Sequence, residues 1–338
     1  MRQQTIDTDT AMMYKRQITG HVAGIVALAL LCSCTEGECG YGSDIGPMRL
    51  GISLGGCATR GTMIGSLAEF KTAYATDGIS VWMYDRAATP ACLIGGTPFK
   101  SAIYNDTEVW IPGTGISWPS VSTDLYAYAP VGASVSIASD GTFSYTVPLD
   151  NSAQVDLTVA CSTEIPSYYQ IRVDGGILPL IFKHALSAVR FQTGTPMVGG
   201  TFKSATVGGI YTSGTYTFPD GSWAVSGSAS GSSHIDIDVT TTPGTPSGSG
   251  ITARTETFFV MPQTFAANTQ YVEVVFNDGL ADHHLKKYHT ELSDSKWEPG
   301  KEYIYTVSLS NTEIVLDCTV AEGFTDTTDS YFTTSWTD

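Results

Sequence analysis

The 338-residue chain carries 33 acidic against 17 basic side chains, a formal net charge of −16, with 42 % hydrophobic and only 15 % charged residues. That balance argues against nucleic acid and against adsorption to anionic membrane surfaces, since both need basic patches, while the apolar fraction suffices for real cores in two ordinary domains. The 35 glycines, set among abundant Thr, Ser, Tyr and Val, point to an all-β protein rich in turns.

In chain order, Lys15 and Arg16 precede a short apolar run, Val22 to Leu31, which ends at Cys32-Ser33-Cys34. A basic segment, an apolar core and a small residue before a cysteine form a secretory signal, and its end resembles the lipobox of bacterial lipoproteins. Residues 1–33 are therefore read as signal peptide and Cys34 as the lipid-bearing mature N-terminus; an ordinary cleaved signal with a chance cysteine is the alternative. The apolar run is about ten residues, half of the roughly 20 that a spanning helix needs. Met12 and Met13, just ahead of the basic pair, offer a second start. Residues 34–47 are polar and glycine-rich, which suits a flexible tether between lipid and folded body.

Met48, Leu50, Ile52 and Leu54 then alternate with Arg49, Gly51 and Ser53, the period-two pattern of a strand. A loop with Cys57 and Arg60 follows, and Met63, Leu67 and Phe70 have the spacing of one or two amphipathic helical turns. Strands are predicted over 79–85, 107–111, 125–129, 142–147 and 154–160. After a Pro, Asp and Gly break at 161–176 they resume over 178–182, 188–192, 201–211, 215–218, 234–239, 257–261, 271–276, 285–292, 302–309 and 313–320. Short strands at this spacing imply sandwiches or barrels. The break places an N-terminal β-sandwich domain at 48–175, a C-terminal one at 176–320, and a tail at 321–338.

Candidate chemistry is sparse. Asp282, His283, His284, Lys286, Lys287 and His289 form the densest polar cluster; the lysines oppose a cation, so a solvated hairpin is preferred over a metal site. His184 lies in an apolar context and reads as a hydrogen-bonded histidine near the core. Beyond Cys32 and Cys34, five cysteines (Cys39, Cys57, Cys92, Cys161, Cys318) form neither a zinc spacing nor a disulfide framework, and one or two bridges are left open. No nucleophile elbow, H-E-x-x-H or P-loop is present, and no carboxylate pair is marked for glycosidase chemistry. No catalytic residue, metal or cofactor is expected. The six tryptophans serve as core packing or, in a carbohydrate-binding surface lipoprotein, as a sugar platform.

Several phrases resemble the fimbrillin family of Bacteroidales, the subunits of type V pili. They are Leu178 to Phe191 (LPLIFKHALSAVRF), Phe258 to Thr264 (FFVMPQT) and Trp297 to Tyr305 (WEPGKEYIY). Tyr128-Ala129-Pro130, Gln154 to Leu157, and Thr59-Arg60-Gly61 followed by Ile79 to Trp82 add to them. The resemblance spans residues 59–309. It implies two transthyretin-like β-sandwich domains in tandem, export as an outer-membrane lipoprotein anchored through Cys34, and assembly with other pilus subunits into an extracellular fimbrium, with host or bacterial glycans or proteins as possible adhesive targets.

The resemblance further implies that an arginine-specific protease removes an N-terminal strand, whose place a neighbouring subunit's strand then takes. Met48, Leu50, Ile52 and Leu54 would be the removable strand. Cleavage between Arg60 and Gly61 is preferred; Arg49 is second, since a cut there would leave most of the apolar strand behind. For the donor strand, the tail offers Tyr331, Phe332 and Trp336, although its alternation is short. Ile314, Leu316, Cys318 and Val320 alternate better, as a donor or as the last core strand.

Overall fold

The computed structural model describes residues 47–55, 64–113, 115–167, 169, 176–253, 256–292, 295–310 and 314–321. Cys34, Arg60, Gly61 and the tail aromatics Tyr331, Phe332 and Trp336 lie outside the described residues, as do Cys39 and Cys57.

The first half contains β1 (Arg49–Leu54), α1 (Leu67–Tyr74), β2 (Ile79–Asp85), β3 (Cys92–Tyr104), β4 (Thr107–Pro112), β5 (Thr123–Ala129), β6 (Thr142–Thr146), β7 (Thr158–Ile165) and β8 (Ile177–His184). Strand pairings close in the order β1-β4-β3-β2-β5-β7-β8, a barrel. A sandwich was expected here; the ring closes because β1 bridges β4 and β8. Inward residues of alternating strands fill it, among them Leu50, Val81, Phe99, Leu125, Leu180 and Phe182.

Two elements depart from the expected boundary near residue 175. β8 was expected to open the second domain, yet it pairs with β7 and β1 and completes the first sheet. β7 runs on to Ile165 and β8 pairs antiparallel with it, so both strands belong to one sheet, and Leu178, Leu180 and Phe182 alternate inward to the barrel core. β6, in contrast, leaves the barrel and pairs with a strand of the second half.

The second half comprises β9 (Ser187–Thr193), β10 (Gly200–Ile210), β11 (Ser213–Thr217), β12 (Ser222–Ser226), β13 (Gly231–Thr241), β14 (Phe258–Val260), β15 (Gln263–Thr264), β16 (Tyr271–Asn277), β17 (Asp282–Tyr288), β18 (Lys296–Trp297), β19 (Glu302–Leu309) and β20 (Ile314–Ala321). Sheets β13-β10-β16-β17 and β14-β9-β19-β20 share one core of Phe191, Phe202, Val274, Tyr305, Leu316 and their neighbours, the arrangement of a β-sandwich. A third core joins the halves: Tyr84 and Tyr126 from the barrel's outer side meet Phe143, Tyr216, Phe218 and Met261 around the small sheet β12-β11-β6.

Candidate functional site

β1 is the unusual element, because this one strand seals the seam of the barrel between β4 and β8. It runs parallel to β8 in unbroken register, from Arg49 opposite Ile177 to Leu54 opposite Phe182. With β4 it shares only Leu50 opposite Trp110. Further bonds fix its ends: Met48 N donates to Ile116 O at 2.8 Å, and Gly55 N donates to Phe182 O at 2.7 Å. Parallel pairing is slightly weaker per residue than antiparallel pairing, and one antiparallel pair adds little, so side-chain burial must supply most of the hold.

That burial is nearly complete. Met48 and Leu50 are 0 % exposed and Ile52 is 7 % exposed, all within the barrel core; Leu54 is half-buried. Three such side chains correspond to roughly 5–9 kcal/mol of apolar transfer. On the outer side, the Arg49 guanidinium sits 3.6 Å from the Tyr104 ring centroid, a cation–π contact. Gly55 allows the strand to pass β8 closely, since a Cβ there would lie 2.8 Å from Ile181 Cγ2.

α1 packs its apolar face into the same core, against β4 and β8. Ser66 Oγ accepts from Glu69 N at 3.1 Å, and Glu69 Oε2 accepts from Gly65 N at 2.7 Å, so the helix start is capped twice. Phe70 and Tyr74 face inward, Phe70 lying 4.9 Å from Phe182 and 6.2 Å from Trp110 between ring centroids. Lys71 Nζ reaches Glu108 Oε2 on β4 at 2.8 Å.

The chain just ahead of α1 is pinned by a buried polar pair. Asp156 Oδ2 accepts from Ile64 N at 2.8 Å, and Asp156 Oδ1 lies 2.7 Å from His184 Nδ1 at the end of β8. Burial, with the Asp156 charge added, pushes the Tyr74 hydroxyl well above its ordinary range. His184 is thus the hydrogen-bonded core histidine expected from its context. Its partner, 28 residues away, carried no sequence signal beyond the polar residue inside Gln154-Val155-Asp156-Leu157.

The remaining candidates do not gather at this seam. In β17, His283 pairs with Asp278 at 3.0 Å and His284 with Glu273 at 2.7 Å, both on the surface. His289 instead is buried, its ring stacked 3.9 Å from Phe265. Among the described residues no cluster of His, Cys, Asp and Glu is arranged to hold a metal. Among the described residues Cys92 is exposed, Cys161 half-buried and Cys318 buried. Trp110, Trp118 and Trp297 are buried in cores, and Trp82 and Trp223 are half-buried. Leu316 and Cys318 fill the second core from β20, which pairs with β19 along its length, the role of a last core strand. No helix among the described residues is long and apolar enough to cross a membrane.

A family model described as fimbrillin-like matches residues 68–322. Among solved structures, a candidate cell adhesion protein of Bacteroides uniformis aligns with a TM-score of 0.54 at 17 % identity, covering 82 % of this chain and 98 % of that one. A second, from Bacteroides ovatus, aligns with a TM-score of 0.51 at 15 % identity, covering 82 % and 96 %. At such identities the likeness is one of fold. No curated protein matches the chain significantly.

Proposed function

Because the chain belongs to the fimbrillin-like family, we propose that it is a structural or adhesive subunit of a bacterial surface fimbria, polymerised by exchange of β1 for a strand of another subunit. The observation that carries this reading is the seat of β1: a strand near the start of the chain, sealed into a barrel between β4 and β8, with three apolar side chains in the core. Without β1, the β8 edge from Ile177 to Phe182 loses its partners and an apolar trough opens beside Trp110 and Phe182. An open edge of this kind invites strand addition. Main-chain bonds to β8 would then give affinity, and the pockets of Met48, Leu50 and Ile52 would select side chains.

In this reading both halves are transthyretin-like domains, the first completed by its own removable strand. Cys34 carries the lipid that holds the precursor at the outer membrane. Cleavage between Arg60 and Gly61, in the segment joining β1 to Ile64, frees β1 with the anchor. Arg49 suits cleavage less, because it lies within β1 with its guanidinium packed on Tyr104. The hydrogen bond that Ile64 N donates to Asp156 keeps α1 docked after the cut. The donor is the tail of another copy, around Tyr331, Phe332 and Trp336.

N-terminal sequencing and intact mass of protein recovered from cells test this directly. A lipid-modified Cys34 start is expected for the precursor and a Gly61 start for the polymerised form. Arg60→Ala should block both the second species and polymer formation. Normal processing and polymers from that variant would remove Arg60 from the scheme.

A further inference from the structure

Trp110 lies across from Leu50 at the single point where β1 meets β4. Its indole is wholly buried, and among the described residues its N–H has no acceptor. The resident strand cannot supply one from its side chains, since Met48, Leu50 and Ile52 are all apolar. A buried donor left without an acceptor is unfavourable, so the resident strand fills the trough by shape while leaving the Trp110 N–H unmet, as is the Trp118 N–H elsewhere in the same core.

The tail has a matching period. Phe332, Thr334 and Trp336 recur at every second residue, an apolar–hydroxyl–apolar set in place of Met48, Leu50 and Ile52. Laid on β1 in the same direction, Phe332 replaces Met48 with a side chain of similar bulk. Trp336 falls at Ile52, where the resident strand is already slightly exposed. Thr334 falls at Leu50, beside Trp110. Resting on the strand-exchange reading above, we propose that Trp110 determines donor specificity by reading a hydrogen-bond acceptor on the incoming strand, and that Thr334 of a second copy supplies it. The incoming strand then satisfies a group that the resident leaves unmet, which biases exchange toward the polymer.

The test uses the full chain carrying an introduced cleavage site between residues 55 and 64. After cutting, β1 is displaced by synthetic peptides spanning residues 326–338, and occupancy is followed by native mass spectrometry. The Thr334→Val peptide keeps shape and adds apolar character, so burial alone would make it the better ligand. The proposal expects the reverse, about tenfold weaker binding, from the loss of one buried hydrogen bond. Thr334→Ser should retain most of the affinity. On Trp110→Phe protein the threonine–valine difference should disappear. Equal or tighter binding of the valine peptide to unaltered protein overturns the proposal, and this arm needs no protein variant, so it stands even where Trp110→Phe fails to fold. Failure of every peptide to displace β1 sinks the strand-exchange reading itself, and this inference with it.

Discussion

Asp156 shows how one side chain can hold together what the sequence leaves far apart. Its two carboxylate oxygens serve Ile64 N and His184 Nδ1, tying the start of α1 to the end of β8. Asp156→Ala removes the acceptor of both bonds at a buried place, with an expected loss of about 2–4 kcal/mol of stability. Asp156→Asn keeps one carbonyl oxygen and should lose less. Urea unfolding of the uncut protein measures both, and an alanine variant as stable as the parent would show that the pair does not hold α1. At this scale the sequence was half legible. Two of the phrases that resemble the family, 154–157 and 178–191, each contain a member of the pair, and the apolar neighbours of His184 suggested a buried, bonded ring. Nothing in a linear pattern joins two residues on different strands, so the partner emerged only from the fold. His289 was missed for a related reason: its neighbours Lys286, Lys287 and Tyr288 read as surface, whereas the chain turns inward there and stacks the ring on Phe265.

Among the elements, β1 was the most legible, since its apolar side chains alternate without interruption and the barrel buries that same face. β3 was not. Gly95, Gly96 and Pro98 break the apolar pattern of residues 92–104 and read as a loop, but Gly96, at φ +71°, lets the half-buried Trp82 ring lie against the backbone beside a register shift in the pairing with β2. The strand foreseen over 154–160 begins only at Thr158, because Gln154 and Asp156 spend their side chains on cross-links: Gln154 bonds to Pro148 O and Phe259 N. The wedge formed by α1 has a pH dependence of its own. Burial acts to raise the Glu108 carboxyl, but hydrogen bonds from Lys71 and Ser101 outweigh it and hold the group below its ordinary 4.5. A depressed carboxylate stabilises the fold above its unfolded value, and that contribution fades as pH falls through the folded one. The pair is partly exposed, so the expected effect is below about 1 kcal/mol. Glu108→Gln should therefore be slightly less stable than the parent at neutral pH, with the gap closing under acid conditions below 4.5. A gap that persists unchanged there would assign the loss to packing rather than charge.

For the whole molecule, the strand count suggested two β bodies, but not where they join. The Pro, Asp and Gly residues of 161–176 have the composition of a linker, and composition does not reveal that the strand after them returns to the sheet before them. β8 completes the barrel, β6 crosses to pair with β11, and Trp223 Nε1 donates to Ala185 O at 2.6 Å on the connection between halves. The third core adds Tyr126 from one half against Phe218 of the other, ring centroids 5.2 Å apart. Interlocked sheets of this kind should unfold together, so thermal denaturation of the uncut protein is expected to give a single transition with coincident fluorescence and far-ultraviolet circular dichroism. Fragments test the same point harder. A piece spanning 48–175 lacks β8, leaving β1 without the edge that holds it along its length, and should not fold. Extending it to residue 186 restores the ring but leaves β6 and the outer tyrosines Tyr84 and Tyr126 uncovered, and should give a protein that folds poorly and associates through that apolar face. A well-folded, monomeric 48–175 fragment would mean that β8 is dispensable to the barrel, and would remove the physical basis for treating its edge as the seat of an exchangeable strand.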